Sequence, residues 1–162
     1  MTDQRFLALA ALLALATGSS ALAAAPVVDR VESAVFETSG DHQAITRRGA
    51  TCIAQVVKPG VVNAPTILNT DPEGGVVVAN NAFEYVDRFI IPTTEQARTT
   101  LTFEAKDGRF RVVHSSIERF FKPGGWGPVG SGALVPTTSL SARLAEISNG
   151  IAECVKRPVS DF

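Results

Sequence analysis

Thr100-Leu101-Thr102-Phe103-Glu104-Ala105-Lys106-Asp107-Gly108-Arg109-Phe110-Arg111-Val112 decides the architecture. Its first half alternates polar and apolar residues, the period of a strand with one buried face. Asp107-Gly108 then breaks the pattern with a strong short-range signal for a tight hairpin. The alternation resumes from Arg109 and continues towards Phe121. The stretch therefore predicts a long antiparallel hairpin with Leu101, Phe103, Phe110 and Val112 facing a core. The apolar parity changes between Val112 and Ile117, which predicts a β-bulge near Ser115-Ser116.

Upstream of the hairpin, Val27 to Phe36 alternates and predicts a first strand. Ser39 and Asp41 are capping residues for a helix over about 42–57. Ile45, Gly49, Cys52, Ile53 and Val56 share one face of that helix, and Lys58-Pro59-Gly60 stops it. Gly49 inside a helix costs about 1 kcal/mol relative to Ala, so close packing is expected there. Thr66–Asn69 and Val76–Ala79 predict two short strands around the turn Thr70-Asp71-Pro72-Glu73-Gly74-Gly75. Asn80-Asn81 is expected to interrupt the chain before a further strand over Phe83 to Ile91, and Thr93 to Arg98 reads as a polar connection. Lys122 to Gly132 contains five glycines and reads as irregular, within a Gly/Pro-rich loop over 122–138. Thr137-Thr138-Ser139 then supplies caps for a last helix. Its stripe is Leu140, Leu144, Ile147, Ile151 and Cys154.

The order is strand, helix, four or five antiparallel strands, helix. Two amphipathic helices on one face of an antiparallel sheet of five or six strands bury every stripe, so the fold class is α+β in a single domain over 26–162. Residues 1–23 read as a secretory signal peptide. Arg5 precedes an apolar run from Phe6 to Ala16, and Ala21-Leu22-Ala23 forms the cleavage site. That run is shorter than the roughly 20 apolar residues of a membrane span. Cleavage after Ala23 makes the protein periplasmic or secreted, with no membrane span thereafter; the alternative is an uncleaved anchor. A net charge of −1 argues against general nucleic-acid binding.

Asp71-Pro72-Glu73-Gly74-Gly75-Val76-Val77-Val78 and Thr102-Phe103-Glu104-Ala105-Lys106-Asp107-Gly108-Arg109-Phe110-Arg111 resemble the two hairpins of a family of exported bacterial proteins. That family is a domain of unknown function with a fold like that of the TATA-box-binding protein (TBP). The resemblance spans about Val31 to Phe121 and implies a β-α-β4-α topology. It brings no catalytic residues with it. Likeness to a DNA-binding saddle does not imply DNA binding, because function lives in sites.

Cys52 and Cys154 both lie on apolar stripes, and export permits a disulfide. For flush antiparallel helices the two would sit ~10 Å apart along the axes. Sequence alone leaves a bridge and two buried thiols equally open. His114-Ser115-Ser116 invites a nucleophile reading, but there is no Gly-x-Ser-x-Gly elbow. His42, Cys52, His114 and Cys154 have no metal-ligand spacing, and no cofactor is implied. Arg109, Arg111 and Arg119 are candidates for one cationic face that could hold an anion. Trp126, in its glycine-rich setting, is either a partner-contact residue or a lid folded onto the open face of the sheet. These residues favour an exported binding or interaction module, with Trp126, Arg109, Arg111 and His114 as binding candidates for a protein or small-molecule partner. The alternative is a small hydrolase or transferase using His114.

Overall fold

The structure, a computed structural model, describes residues 27–58, 65–87, 91–130 and 137–157. The expected leader at 1–23 and part of the 122–138 segment lie outside the described residues. The described chain forms β1 (Arg30–Glu32), β2 (Phe36–Glu37), α1 (His42–Val56), β3 (Ile67–Asp71), β4 (Val76–Asp87), β5 (Thr93–Lys106), β6 (Arg109–Phe121), β7 (Gly125–Pro128) and α2 (Thr138–Lys156). All strands join one antiparallel sheet of seven, with the main order β1-β6-β5-β4-β3. Both helices pack on one face. Among the described residues no helix is long and apolar enough to cross a membrane.

The central hairpin turns on Asp107-Gly108, with Gly108 at φ +74°, a conformation that costs glycine nothing. This turn also anchors α1. Gly108 donates its N–H to Gly40, and the Asp107 carboxylate accepts from both the backbone N–H and the ring Nδ1 of His42, at 2.8 and 2.9 Å. Asp41 caps α1 by accepting the Ala44 N–H at 2.7 Å. At α2 the expected capping role is corrected: Thr137 makes no side-chain cap bond.

Three further expectations are corrected. Val27 to Phe36 is not one strand but yields β1 and, at its end, β2. Asn80-Asn81 does not interrupt β4, because Asn81 is buried and its amide donates to Thr99 Oγ1 at 3.4 Å. Thr93 to Arg98 is not a connection but the start of β5, paired with Ala82–Asp87.

The two long edges of the sheet are finished differently. The outer edge of β6 is tiled by β2 at Phe110, β1 at Val113–Ser115 and β7 at Glu118–Phe121. Between the last two lies Ser116, at φ +50°, where the β5–β6 register slips by one residue. The predicted bulge is there. The outer edge of β4 is covered by β3 only from Val76 to Ala79. The carbonyls of Thr66 and Lys58 accept the next outward N–H groups, those of Asn80 and Ala82.

The roofed face holds two apolar clusters. The larger joins Ile45, Cys52 and Ile53 of α1 and Ile151 and Val155 of α2 to Val77, Leu101, Phe103, Phe110 and Val112. The smaller lies under the first turns of α2, with Leu140 and Leu144 against Tyr85, Ala97, Ile117 and Val129, and Phe83 packs against both. A Cβ on Gly49 would lie 2.6 Å from the Phe103 ring, so the missing side chain is what lets α1 settle on the sheet.

The helices run antiparallel but not flush. Arg48 Nη1 reaches the Val155 carbonyl, and Gly150 lies beside Val56. The start of α2 overhangs α1 to cover the second cluster. That offset removes the gap expected between the cysteines. Cys52 and Cys154 have Cα atoms 5.7 Å apart and sulfurs bonded at 2.08 Å.

Candidate functional site

Alternation along β5 and β6 leaves a bare face opposite the helices. It carries Arg98, Thr100, Thr102 and Glu104 from β5, and Arg109, Arg111 and Ser115 from β6. Its cations are mostly held within the sheet. Arg111 donates to Glu104 at 2.6 Å and to Glu32 at 2.8 Å. These carboxylates raise the Arg111 pKa, Glu104 foremost. Arg98 donates to Glu118 at 2.5 Å. Arg119 does not join Arg109 and Arg111. The Ser116 bulge reverses the parity of β6, so Arg119 shares the roofed face with Ala97 and lies 3.9 Å from Asp87. Arg109 remains exposed. With Lys106 it borders a groove of about 480 Å³ at the hairpin end of the sheet, in which Arg111 is already neutralised by Glu104.

Trp126 lies in β7 and not in an irregular loop. Lys122-Pro123-Gly124 forms a turn, and Gly125–Pro128 pairs antiparallel with Glu118–Phe121. An edge strand of four residues tolerates Pro at its end, which is why a glycine-rich segment can still extend the sheet. In register with Phe120, Trp126 folds onto the bare face. The two rings meet edge to face at 5.4 Å, and the Arg98 guanidinium sits 4.6 Å from the indole centroid. Trp126 also lines an open cleft of about 460 Å³, together with Phe83, Glu84, Lys58, Arg143 and Ile147. Because Trp126 belongs to the bare face and Ile147 to the roof, this cleft wraps around the half of the β4 edge that no described strand covers.

His114 is withdrawn from the binding candidates. Its side chain faces the roof and is 0% exposed. Ser148 donates its hydroxyl to the Leu144 carbonyl, so at His114 Nε2 it can only accept, at 3.0 Å. Nε2 therefore carries the proton. Nδ1 is left to accept from Thr99 at 3.4 Å, and Thr99 accepts from Asn81. A directed chain thus runs from β4 through β5 and β6 to α2. Burial lowers the His114 pKa to about 4, so the ring is neutral at pH 7. A general base must lie within hydrogen-bond reach of its substrate, and no solvent-borne molecule reaches this ring. Ser116 is exposed but lies past the reversal of parity, away from it.

The fold is shared with a solved DUF4468 family protein. That protein, from Bacteroides ovatus, aligns over 87% of this chain and 95% of its own at 13% identity, with a TM-score of 0.57. A TBP-like protein from Parabacteroides distasonis aligns over 78% of this chain and 81% of its own at 12% identity, with a TM-score of 0.49. A domain of unknown function is thus among the structural neighbours, as the sequence resemblance implied. At such identities the likeness concerns the fold alone. No family model and no curated protein matches the chain.

Sequence reasoning missed Lys58, Phe83, Glu84 and Arg143 as neighbours of Trp126. They come from the connection after α1, from β4 and from α2, and they meet where the described cover of β4 stops. Ser148 did leave a signal. It sits four residues after Leu144 on the apolar stripe of α2, where a hydroxyl needs a partner.

Proposed function

We infer that the protein is an exported binding module, periplasmic or secreted after cleavage behind Ala23, and that its partner enters the cleft beside Trp126. The observation that carries this reading is the cleft itself. It combines an indole, a Phe ring and an Ile side chain with three charged groups, the mixture of apolar lining and sparse polar groups usual in binding sites. Tryptophan is also the residue type most enriched among those that dominate binding energy. Export is supported by the apolar run ending in Ala21-Leu22-Ala23 and by the Cys52–Cys154 bridge, which suits an oxidising compartment.

Two measurements test the reading. The intact mass of protein recovered from the periplasm or medium is expected to begin at Ala24; retention of the apolar run overturns export by cleavage. Exported extract passed over the immobilised wild-type protein is expected to leave bound material that Trp126→Ala and Lys58→Glu do not hold. Equal retention by both variants removes the cleft from the function.

A further inference from the structure

The geometry points to an extended peptide segment with an acidic side chain as the partner, bound by strand addition to the β4 edge at Glu84 and Val86. This rests on the cleft reading above and goes further, because it names what the cleft recognises.

The argument begins with the backbone. Along β4 the outward N–H groups belong to even-numbered residues. Asn80 donates to Thr66 and Ala82 donates to Lys58, both away from β5. The same alternation turns the N–H and C=O of Glu84 and Val86 outward. No described residue pairs with them, since β3 ends opposite Val76 to Ala79. Hydrogen-bonding groups in a row of this kind are satisfied by another extended backbone, and main-chain pairing of this sort is an established mode of peptide capture.

Two clefts follow one another along this edge. The cleft beside Trp126 reaches Glu84 from one end. A second, of about 460 Å³, is lined by Glu84, Tyr85 and Val86 with Thr138 and Arg143 of α2. A strand laid along the edge would pass the first at Ala82–Glu84 and the second at Glu84–Val86. Charge then narrows the occupant. Arg143 is held by Glu146 at 2.8 Å, and the second cleft carries Glu84 and Glu146, whereas Lys58 has no ion-pair partner among the described residues and is the cationic end of this edge. An aspartate or glutamate at the Lys58 end of the peptide complements that balance.

Trp126 is the chain's single tryptophan, so its emission reports occupancy without a label. The probe is an acetylated, amidated peptide of alternating valine and threonine with aspartate at one end. A second version is N-methylated at alternate residues, which deletes one edge of hydrogen-bond donors. The parent peptide is expected to shift Trp126 emission saturably. The N-methylated peptide and the Val86→Pro variant are each expected to weaken binding about tenfold, the loss of one or two backbone hydrogen bonds. Lys58→Glu is expected to weaken the aspartate peptide more than one with asparagine in its place.

Equal binding of the N-methylated peptide overturns strand addition and needs no altered protein. No binding of the parent peptide also overturns it, while Trp126-dependent retention of exported material leaves the cleft reading standing. A peptide-free dimer that Val86→Pro turns into monomer overturns it in favour of a second copy of this chain.

Discussion

The sheet has two faces built from the same strands, and they are stabilised by different means. The roofed face is held by two apolar clusters, a disulfide and a hydrogen-bonded chain of buried polar groups around His114. The bare face is held by ion pairs at its surface, Arg111 with Glu104 and Glu32, and Arg98 with Glu118. Burial makes contacts on the first face expensive to break, whereas solvent screens those on the second. Substitutions on the roofed face should therefore change stability. Substitutions on the bare face should leave the fold standing, so that any loss of binding there can be read as a loss of the site.

The largest effect is expected from the bridge between the helices. Cys52 and Cys154 are 102 residues apart in sequence, and on the chain-entropy model closing such a loop contributes about 4–5 kcal/mol. The double variant Cys52→Ala with Cys154→Ala should lose about that much in denaturant unfolding. A loss no larger than that of a bare-face variant would break the comparison between faces.

His114 supplies the next effect. Its pKa is lowered from 6.5 to about 4, so the unfolded chain takes up a proton before the folded one does as pH falls. The stability this confers is fully present above pH 6.5 and is lost on the way down to about pH 4. A shift of that size corresponds to about 3 kcal/mol. His42, raised by Asp107, contributes in the opposite sense, its stabilisation growing as it protonates. Carboxylates titrate in the same window. The test is therefore the difference between wild type and His114→Gln, whose amide can still donate to Ser148. The wild type should lose more stability than the variant between pH 6.5 and 4, and parallel curves would refute the buried neutral ring.

What was legible in advance follows the same division. The central hairpin, its two-residue turn, the Ser116 bulge and both helical stripes are local patterns, and each is where periodicity placed it. The number and ends of the short strands were not legible, because β1, β2 and β7 exist as edge pieces laid against β6 and carry little periodicity of their own. Gly125-Trp126-Gly127-Pro128 reads as a loop until a partner strand is supplied. The cleft was invisible for a related reason. It depends on where the cover of β4 stops, a relation between Lys58, Glu84 and Trp126 that no window of sequence contains. His114 shares the parity of the core-facing Phe110 and Val112, so its burial was legible in the alternation; its partners Thr99 and Ser148, which come from other elements, were not.

Gly49 sharpens the comparison at the level of a single methyl group. In Gly49→Ala the helix propensity gain of about 1 kcal/mol opposes the overlap of a Cβ with the Phe103 ring, whose atoms lie 2.6–2.9 Å from its position. Phe103 is fully buried, so overlap should dominate, with a net loss of about 1–2 kcal/mol. A stabilised variant would mean that α1 can lift off the sheet at little cost.

The smallest effect is expected on the bare face, and its smallness is informative. Arg98→Ala removes the ion pair with Glu118 and the guanidinium over Trp126 together. Both side chains of the pair are more than a third exposed, and exposed pairs and exposed cation–π contacts each contribute at most about 1 kcal/mol. The unfolding midpoint should move far less than in the disulfide variant, while Trp126 emission shifts to the red as the indole loses its cover. A large loss of stability would show that Arg98 helps to hold β7 onto the sheet. The bare face would then be structural in its own right, and binding defects of variants around Trp126 would no longer separate the site from the fold.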